Sequence, residues 1–545
     1  MATFSLDAKG KAAYGLAALA GGLLFSSFPG PGLYPLAWFA LIPLFIALEG
    51  CNAARAWRLG VVFGTVALWG GFYWIGNWAE LVLGMPAPTG QLVAAGYGFV
   101  NAQVFGLILW IYVKFRARLD WADPFFFALV WVLVFSLWPW LFPFKLADSQ
   151  ASALPLIQPL DLVGPWGLDL LILLVNGGLY LLLRKGQIKR HQFPLILAAM
   201  LCSLWIGYGL SAWGKWQRRI DQMPIKRLGI VQTNRPASLG KPRPQPGHSR
   251  IYPLEMKMSR DLVELGAEVL LWPEGHFYGY AYWRDVEAAF ARQVGNFGVP
   301  LLFLDSGYED LRGKRLRYNT TFFLGPSGSL KGKYHKRRLV PFGEYTPLVE
   351  YIPGVTELLG DFLSHLSAGQ VDKTFKVAGM GFVPKICYEV LFEEEVARAI
   401  GRDGKGKVIF VQSQDGWYGR STQPAQHLAS SVLRAVENRV PMVHVINNGP
   451  STVALPDGSI SFKARSFAKG RWVAPMPFDG KWGGSFYSAH PSLTIWSLRG
   501  LAVLLLLSVL FKGKKPTKPK ALTTGGKGAP AKEQPVGRRL DKGKK

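Results

Sequence analysis

A bundle of membrane-spanning helices joined to a single α/β domain is the fold class that this sequence predicts. Three observations predict it. Apolar residues make up 50% of the 545 residues, and they gather in long runs over roughly 11–211 and again over 493–511. Between these runs, residues 212–490 have mixed polarity, and short β-rich segments alternate with helical patterns. The short connections between the apolar runs carry their basic residues very unevenly.

Eight runs read as spans, near 11–27, 33–49, 57–78, 91–112, 123–141, 163–183, 192–211 and 493–511. Each is close to the roughly 20 residues a helix needs to cross hydrocarbon. The first follows Lys9 as a signal peptide would, but no small-residue cleavage motif comes after it and a second run starts almost at once, so it is expected to remain. One set of connections holds Arg55, Arg58, Lys114, Arg116, Arg118, Arg184, Lys185, Lys189 and Arg190, while the alternate set holds only Lys145. That asymmetry predicts both termini in the cytoplasm and the insert on the outer face. The expected organisation is a seven-span bundle over 1–211, an outer domain over 212–490, an eighth span over 491–511 and a tail over 512–545. The tail holds 12 Lys/Arg against two acidic residues, so it supplies much of the formal net charge of +27. A disordered segment on an anionic leaflet is expected there, and no nucleic-acid partner.

Within the insert, Leu228–Val231, Val269–Trp272, Leu301–Leu304, Thr320–Leu324, Val408–Val411 and Met442–Ile446 read as strands, and stretches near 255–266, 283–294, 388–399 and 424–438 as helices. This order suits parallel strands with crossover helices. Gly325-Pro326-Ser327-Gly328 and Pro456-Asp457-Gly458-Ser459 look like hairpin turns, which makes the sheet mixed. Neither a glycine-rich phosphate loop after the first strand nor a paired-cysteine metal motif occurs, so no cofactor and no metal is expected.

Three polar residues interrupt the pattern at strand ends, where α/β sheets build their sites. Glu274 follows Leu270-Leu271-Trp272-Pro273, Lys336 follows Leu330–Tyr334, and Cys387 ends Val383-Pro384-Lys385-Ile386. Of the three cysteines, Cys51 and Cys202 belong to the apolar region, which leaves Cys387 without an intrachain partner. A thiol with pKa near 8.5 is mostly protonated at neutral pH, so a carboxylate that takes its proton makes it a nucleophile. An ammonium then stabilises the oxyanion of the tetrahedral intermediate. From these patterns alone, a buried small hydrophobe at Cys387 and structural surface groups at Glu274 and Lys336 remain open readings.

The segments Trp272-Pro273-Glu274, Tyr334-His335-Lys336-Arg337-Arg338-Leu339-Val340-Pro341-Phe342-Gly343-Glu344-Tyr345 and Ile386-Cys387-Tyr388-Glu389 together resemble the apolipoprotein N-acyltransferase family, the membrane branch of the nitrilase superfamily. The resemblance covers about residues 11–511 and implies an αββα nitrilase-like sandwich with a Glu-Lys-Cys triad of Glu274, Lys336 and Cys387. It further implies that Glu344 is an additional essential glutamate acting on Lys336, and that Tyr388 and Glu389 shape the pocket beside the nucleophile. Trp417 would face the substrate, with a structural aromatic packed under the sheet as the open alternative. The implied activity moves a fatty acyl chain from a phospholipid, through a cysteine thioester, to the α-amine of the diacylglyceryl-cysteine of an apolipoprotein. The setting would be a Gram-negative inner membrane, with the catalytic domain in the periplasm and the protein a monomer. Gln414-Asp415-Gly416-Trp417-Tyr418 and Asn447-Asn448-Gly449-Pro450-Ser451 depart from the family pattern, as does the Pro-rich run Pro236 to Pro246. A membrane-tethered amidase using the same three residues with water, and a binding module without catalysis, are the alternatives. The first predicts no apolar portal at the thiol, the second a dispersed triad.

Overall fold

The computed structural model describes residues 10–184, 187–238, 243–311, 313–345 and 366–511. The basic tail, Lys185 and the middle of the Pro-rich run lie outside the described residues.

The expectation of eight spans is not met. Among the described residues, four helical segments are long and apolar enough to cross a membrane: Ala87–Ala122, Leu160–Leu183, Gln192–Ile220 and Leu493–Phe511. A fifth is reached only if Ala53–Phe72 and Trp74–Leu83, which meet at a bend of 58°, count as one broken span. The remaining apolar runs are cut short by their own punctuation. Lys11–Ser26 has 16 residues and stops before Pro29-Gly30. The run at 33–49 divides into a 3₁₀ turn, Tyr34–Trp38, and a six-residue helix, Ile42–Ala47, each with a proline in its first turn. Phe125–Leu137 has 13 residues between Pro124 and Pro139. A hydropathy window sums apolar side chains without registering where proline removes a backbone donor and ends the hydrogen-bonded ladder. These short helices fill the inside of the bundle instead: Phe126, Phe127 and Trp131 are almost fully buried. The chain is a multi-pass membrane protein.

The α/β domain is a sandwich of two six-stranded sheets. One has the order β12-β1-β2-β3-β4-β5, formed by Gly470–Pro477, Ile225–Gln232, Val269–Leu271, Leu301–Leu311, Lys314–Leu324 and Leu330–His335. The other has the order β11-β10-β9-β8-β7-β6, formed by Ile460–Lys463, Thr452–Ala454, Met442–Ile446, Lys407–Ser413, Met380–Ile386 and Phe375–Val377. β1, β2 and β3 are mutually parallel, as are β7, β8 and β9, because helices return the chain between them. The flanking pairs are antiparallel, with the hairpins β4–β5 and β10–β11 at the two turns read from sequence.

Strands that lie between two packed layers need apolar residues on both faces. In β1, Leu228 and Ile230 enter the core between the sheets, beside Phe382, Phe410 and Val443. Val231 points instead toward the outer helices Leu254–Glu264 and Arg284–Phe297, into a cluster with Trp272, Phe290 and Phe303. On the far side, the helices Glu393–Ile400 and Gln423–Asn438 cover the second sheet, and their apolar residues run without a break into the membrane bundle. Polar clamps fix this junction. Lys145 meets Glu393 at 2.7 Å, Arg439 meets Asp161 at 2.8 Å, and Trp74 Nε1 donates to Gln426 at 3.0 Å. One helical layer thus serves the sheet and the bundle together, which holds the ends of β7 and β8 against the membrane helices.

Candidate active site

Glu274, Lys336 and Cys387 come together at the ends of β2, β5 and β7. Trp272 and Pro273 end the ladder of β2, and the Trp272 carbonyl accepts from Gln412 Nε2 at 2.7 Å, so the following turn carries Glu274 inward. Lys336 leaves β5 with its backbone N–H donating to the carbonyl of Asn319 at 2.9 Å, and its side chain is 1% exposed. Its Nζ donates to Glu344 Oε1 at 2.9 Å and lies 3.9 Å from Glu274 Oε1. The second oxygen of Glu344 accepts the Val340 N–H at 2.9 Å, which fixes the carboxylate toward the lysine.

Cys387 opens a 3₁₀ turn, Cys387–Leu391, with φ of 50°, a region that residues other than glycine rarely adopt. Such strain costs about 1–3 kcal/mol and persists only where the surroundings over-determine it. Glu389 supplies that constraint. Its carboxylate accepts from the backbone N–H of Ile386 and of Arg337, both at 2.7 Å, and from Tyr334 Oη at 2.8 Å. The strand end that carries the thiol and the segment that carries Lys336 are therefore pinned to one buried carboxylate. Glu389 faces this clamp and Tyr388 faces the bundle: the Tyr388 hydroxyl donates to the Leu141 carbonyl and its ring packs edge-on to Phe142 at 6.0 Å. Lys385, which flanks the thiol in sequence, is engaged elsewhere: it pairs with Asp372 at 2.6 Å. Trp417 is half-buried in the turn Asp415–Tyr418, packed against the core shared with the bundle.

Burial sets the electrostatics. It raises the pKa of Glu274 despite the opposing charge of Lys336, making this carboxylate a stronger base than an exposed one. Burial also pushes the Cys387 thiol far up, helped by the charge of Glu274 and opposed by Lys336. For Lys336, burial works toward deprotonation, but Glu344 and then Glu274 overcome it and hold the ammonium charged. The resting set is a protonated thiol, a basic carboxylate and a fixed cation, as proton transfer coupled to nucleophilic attack requires.

Three contributors escaped the sequence reading. Asn319 donates through Nδ2 to Glu274 Oε1 at 2.7 Å and to Glu344 Oε1 at 3.2 Å, bridging both carboxylates. The available signal was a lone asparagine inside a strand, where this residue is depleted. Ser413, at the end of β8, sits beside the thiol and bonds Asp415. His427 joins Asp415 at 3.0 Å through Nδ1 and reaches the Cys387 carbonyl at 3.2 Å through Nε2. No spacing in the chain announces that contact. The departures at Gln414, Asn447 and Asn448 form one buried network, in which Asn447 Nδ2 donates to Gln414 Oε1 and Asn448 Oδ1, both at 2.9 Å.

A largely apolar cavity opens beside the thiol. Phe25 from the end of one bundle helix and Phe28 just beyond it, Leu68 and Gly71 from another helix, and Phe142 and Tyr418 line it, with Cys387 in its wall.

Residues 20–178 match the family model described as the apolipoprotein N-acyltransferase N-terminal domain, and residues 227–479 match that of carbon-nitrogen hydrolases. An apolipoprotein N-acyltransferase of Geobacter metallireducens is 30% identical over 92% of this chain and 96% of its own length. That of Chlorobaculum tepidum is 26% identical over 89% and 94%. Among solved structures, an amidase of the nitrilase superfamily from Nesterenkonia AN1 aligns with 46% of this chain and 90% of its own, at 19% identity and a TM-score of 0.34. With a 30% identical relative matched along nearly its whole length, the chain belongs to the apolipoprotein N-acyltransferase family.

Proposed function

We propose that this enzyme transfers a fatty acyl chain from a phospholipid to the free α-amine of a diacylglyceryl-cysteine at the start of an apolipoprotein. The single observation that carries the reading beyond family membership is the apolar cavity, which runs from Cys387 into the bundle helices and suits an acyl chain that stays among apolar side chains while its ester reaches the thiol. A hydrolase of small soluble amides has no use for such a chamber.

In this reading Glu274 takes the thiol proton as Cys387 Sγ bonds to the ester carbonyl carbon. Lys336 stabilises the oxyanion, Glu344 holds Lys336, and Glu389 holds the strained turn. The ester C–O bond then breaks, and Glu274 returns the proton to the departing lysophospholipid oxygen. The amine attacks the thioester, its proton passes to Glu274, and the C–S bond breaks as Glu274 hands that proton to Sγ, giving the amide and the free thiol. A thioester is reactive enough toward an amine that no ATP is required. Tyr388 lines the cavity beside the thiol, Trp417 acts on the substrate from the neighbouring turn Asp415–Tyr418, and the sandwich faces the outer side of an inner membrane.

Incubation of the purified protein with a phospholipid should place one acyl group on Cys387, seen by intact-protein and peptide mass spectrometry. The adduct should be absent in Cys387→Ala and should disappear on addition of a diacylated lipopeptide as the triacylated peptide forms. Acyl transfer from phospholipid to the lipopeptide with an unmodified Cys387 throughout would overturn the mechanism.

A further inference from the structure

A second cavity lies away from the thiol, at the end of the helix Gln192–Ile220 where the chain leaves the bundle, and it shares no lining residue with the first. Its wall carries five cationic side chains, Lys215, Arg219, Lys405, Arg439 and Lys481, against one carboxylate, Asp161. That carboxylate is already used. Arg439 pairs with it at 2.8 Å, and Tyr208 Oη donates to it at 2.9 Å. Among the described residues, no carboxylate pairs with Lys215, Arg219, Lys405 or Lys481. Arg219 stacks 3.9 Å over Trp482 and 5.1 Å from Trp216, which holds its guanidinium without neutralising it.

The position of this cavity indicates its occupant. The helix has 29 residues, or about 43 Å at 1.5 Å per residue, against about 30 Å of hydrocarbon. Its last two turns therefore emerge at headgroup level. Below them Leu204, Ile206 and Leu210 are exposed, a surface suited to lipid chains, while Trp482 presents an amphipathic ring at the rim. Basic residues crowd this end although, apart from Lys145, the short connections assigned to the same side lack them, so the cluster runs against the general charge bias of the chain.

We propose that this basic, tryptophan-walled cavity is a binding site for the phosphate of an anionic phospholipid, whose acyl chains lie along the exposed face of Gln192–Ile220. The site is distinct from the acyl-donor cavity and does not depend on chemistry at Cys387. Arg219 and Lys215 contact the phosphate from the helix, and Lys405 and Lys481 close over it from the two loops above.

The test is native mass spectrometry of the full-length protein, with phosphatidylglycerol and phosphatidylcholine of matched chains, alone and in competition. The wild type should retain phosphatidylglycerol preferentially. Lys215→Gln/Arg219→Gln/Lys481→Gln should retain about tenfold less of it, since each cation near the surface contributes to anionic-lipid attraction. Phosphatidylcholine binding should not change. Should the triple variant fold poorly, Lys405→Gln/Lys481→Gln alters two exposed loop side chains alone and should lose several-fold. The acylation burst at Cys387 reports that either variant is folded. Undiminished phosphatidylglycerol on a folded variant overturns the proposal. So does inorganic phosphate alone raising the thermal midpoint of the wild type as far as phosphatidylglycerol does, because the pocket would then take a free anion rather than a lipid.

Discussion

Replacing Glu274 and Glu344 separately by glutamine distinguishes a proton acceptor from a support for the ammonium, through the pH dependence of Cys387 acylation. Glu274→Gln removes the base, which should cost about 10²–10⁴ in burst rate at pH 7. The residual reaction then depends on thiolate formed without help. Burial keeps the thiol pKa above the accessible range. The thiolate fraction, and with it the rate, should therefore rise about tenfold per pH unit from pH 6 to 9. Glu344→Gln leaves Glu274 in place but removes the carboxylate 2.9 Å from Lys336 Nζ. Loss of a well-aimed oxyanion donor costs about 3–4 kcal/mol, so this variant should be comparably slow. Its profile, however, should rise as Glu274 ionises through its raised pKa and show no further alkaline gain. With Glu344 gone, Glu274 is the carboxylate charge that still opposes the effect of burial on Lys336, so a change at high pH would be a decline and not a rescue. The assay is quenched-flow mass spectrometry of the acyl adduct on protein in matched membranes. Parallel profiles, or a steeper alkaline rise in Glu344→Gln, would refute the assignment of roles.

Gly71 lines the acyl cavity, and a Cβ added there meets nothing within 4 Å. Gly71→Phe should leave the thermal midpoint nearly unchanged and shift donor preference toward shorter acyl chains in a competition assay with mixed phospholipids. Lys145→Met leaves Glu393, 6% exposed, without its 2.7 Å partner, and should cost about 3–5 kcal/mol by thermal or denaturant unfolding in detergent. His427 titrates upward: burial lowers its pKa, but the carboxylate of Asp415 more than reverses this. The charged pair therefore contributes its full stability below the unfolded histidine value of about 6.5 and loses it as pH rises through the higher folded value. The wild-type midpoint should fall over that window, and His427→Gln, less stable at pH 6, should not show the fall. Glu389→Gln should relax the turn at Cys387 and the position of Lys336 together, lowering the burst rate at all pH values without the alkaline rescue expected of Glu274→Gln.

Local chemistry determined much of what can be read in this chain. Apolar runs mark a membrane protein because burying or dissolving so much hydrocarbon leaves few other folds, and proline after Trp272 or glycine in the two hairpin turns limits the backbone wherever it occurs. The Trp-Pro-Glu, Lys and Cys segments were legible for the same reason, since each combines a strand end with a reactive group. The number of crossings was not, because hydropathy adds up over a window while a helix ends at single residues such as Pro29 and Pro139. Nor were Asn319, Ser413 and His427, whose places in the site come from pairings between strands and helices far apart in the chain. Glu389 was read as a pocket wall, and only the packed sheet ends turn it into the acceptor that holds the strained Cys387. The sequence by itself determined which groups could react. Tertiary structure decided which carboxylate faces the lysine, which way the tyrosine beside the thiol turns, and that the thiol opens on a chamber lined by the bundle, because these depend on contacts between segments that no local pattern encodes.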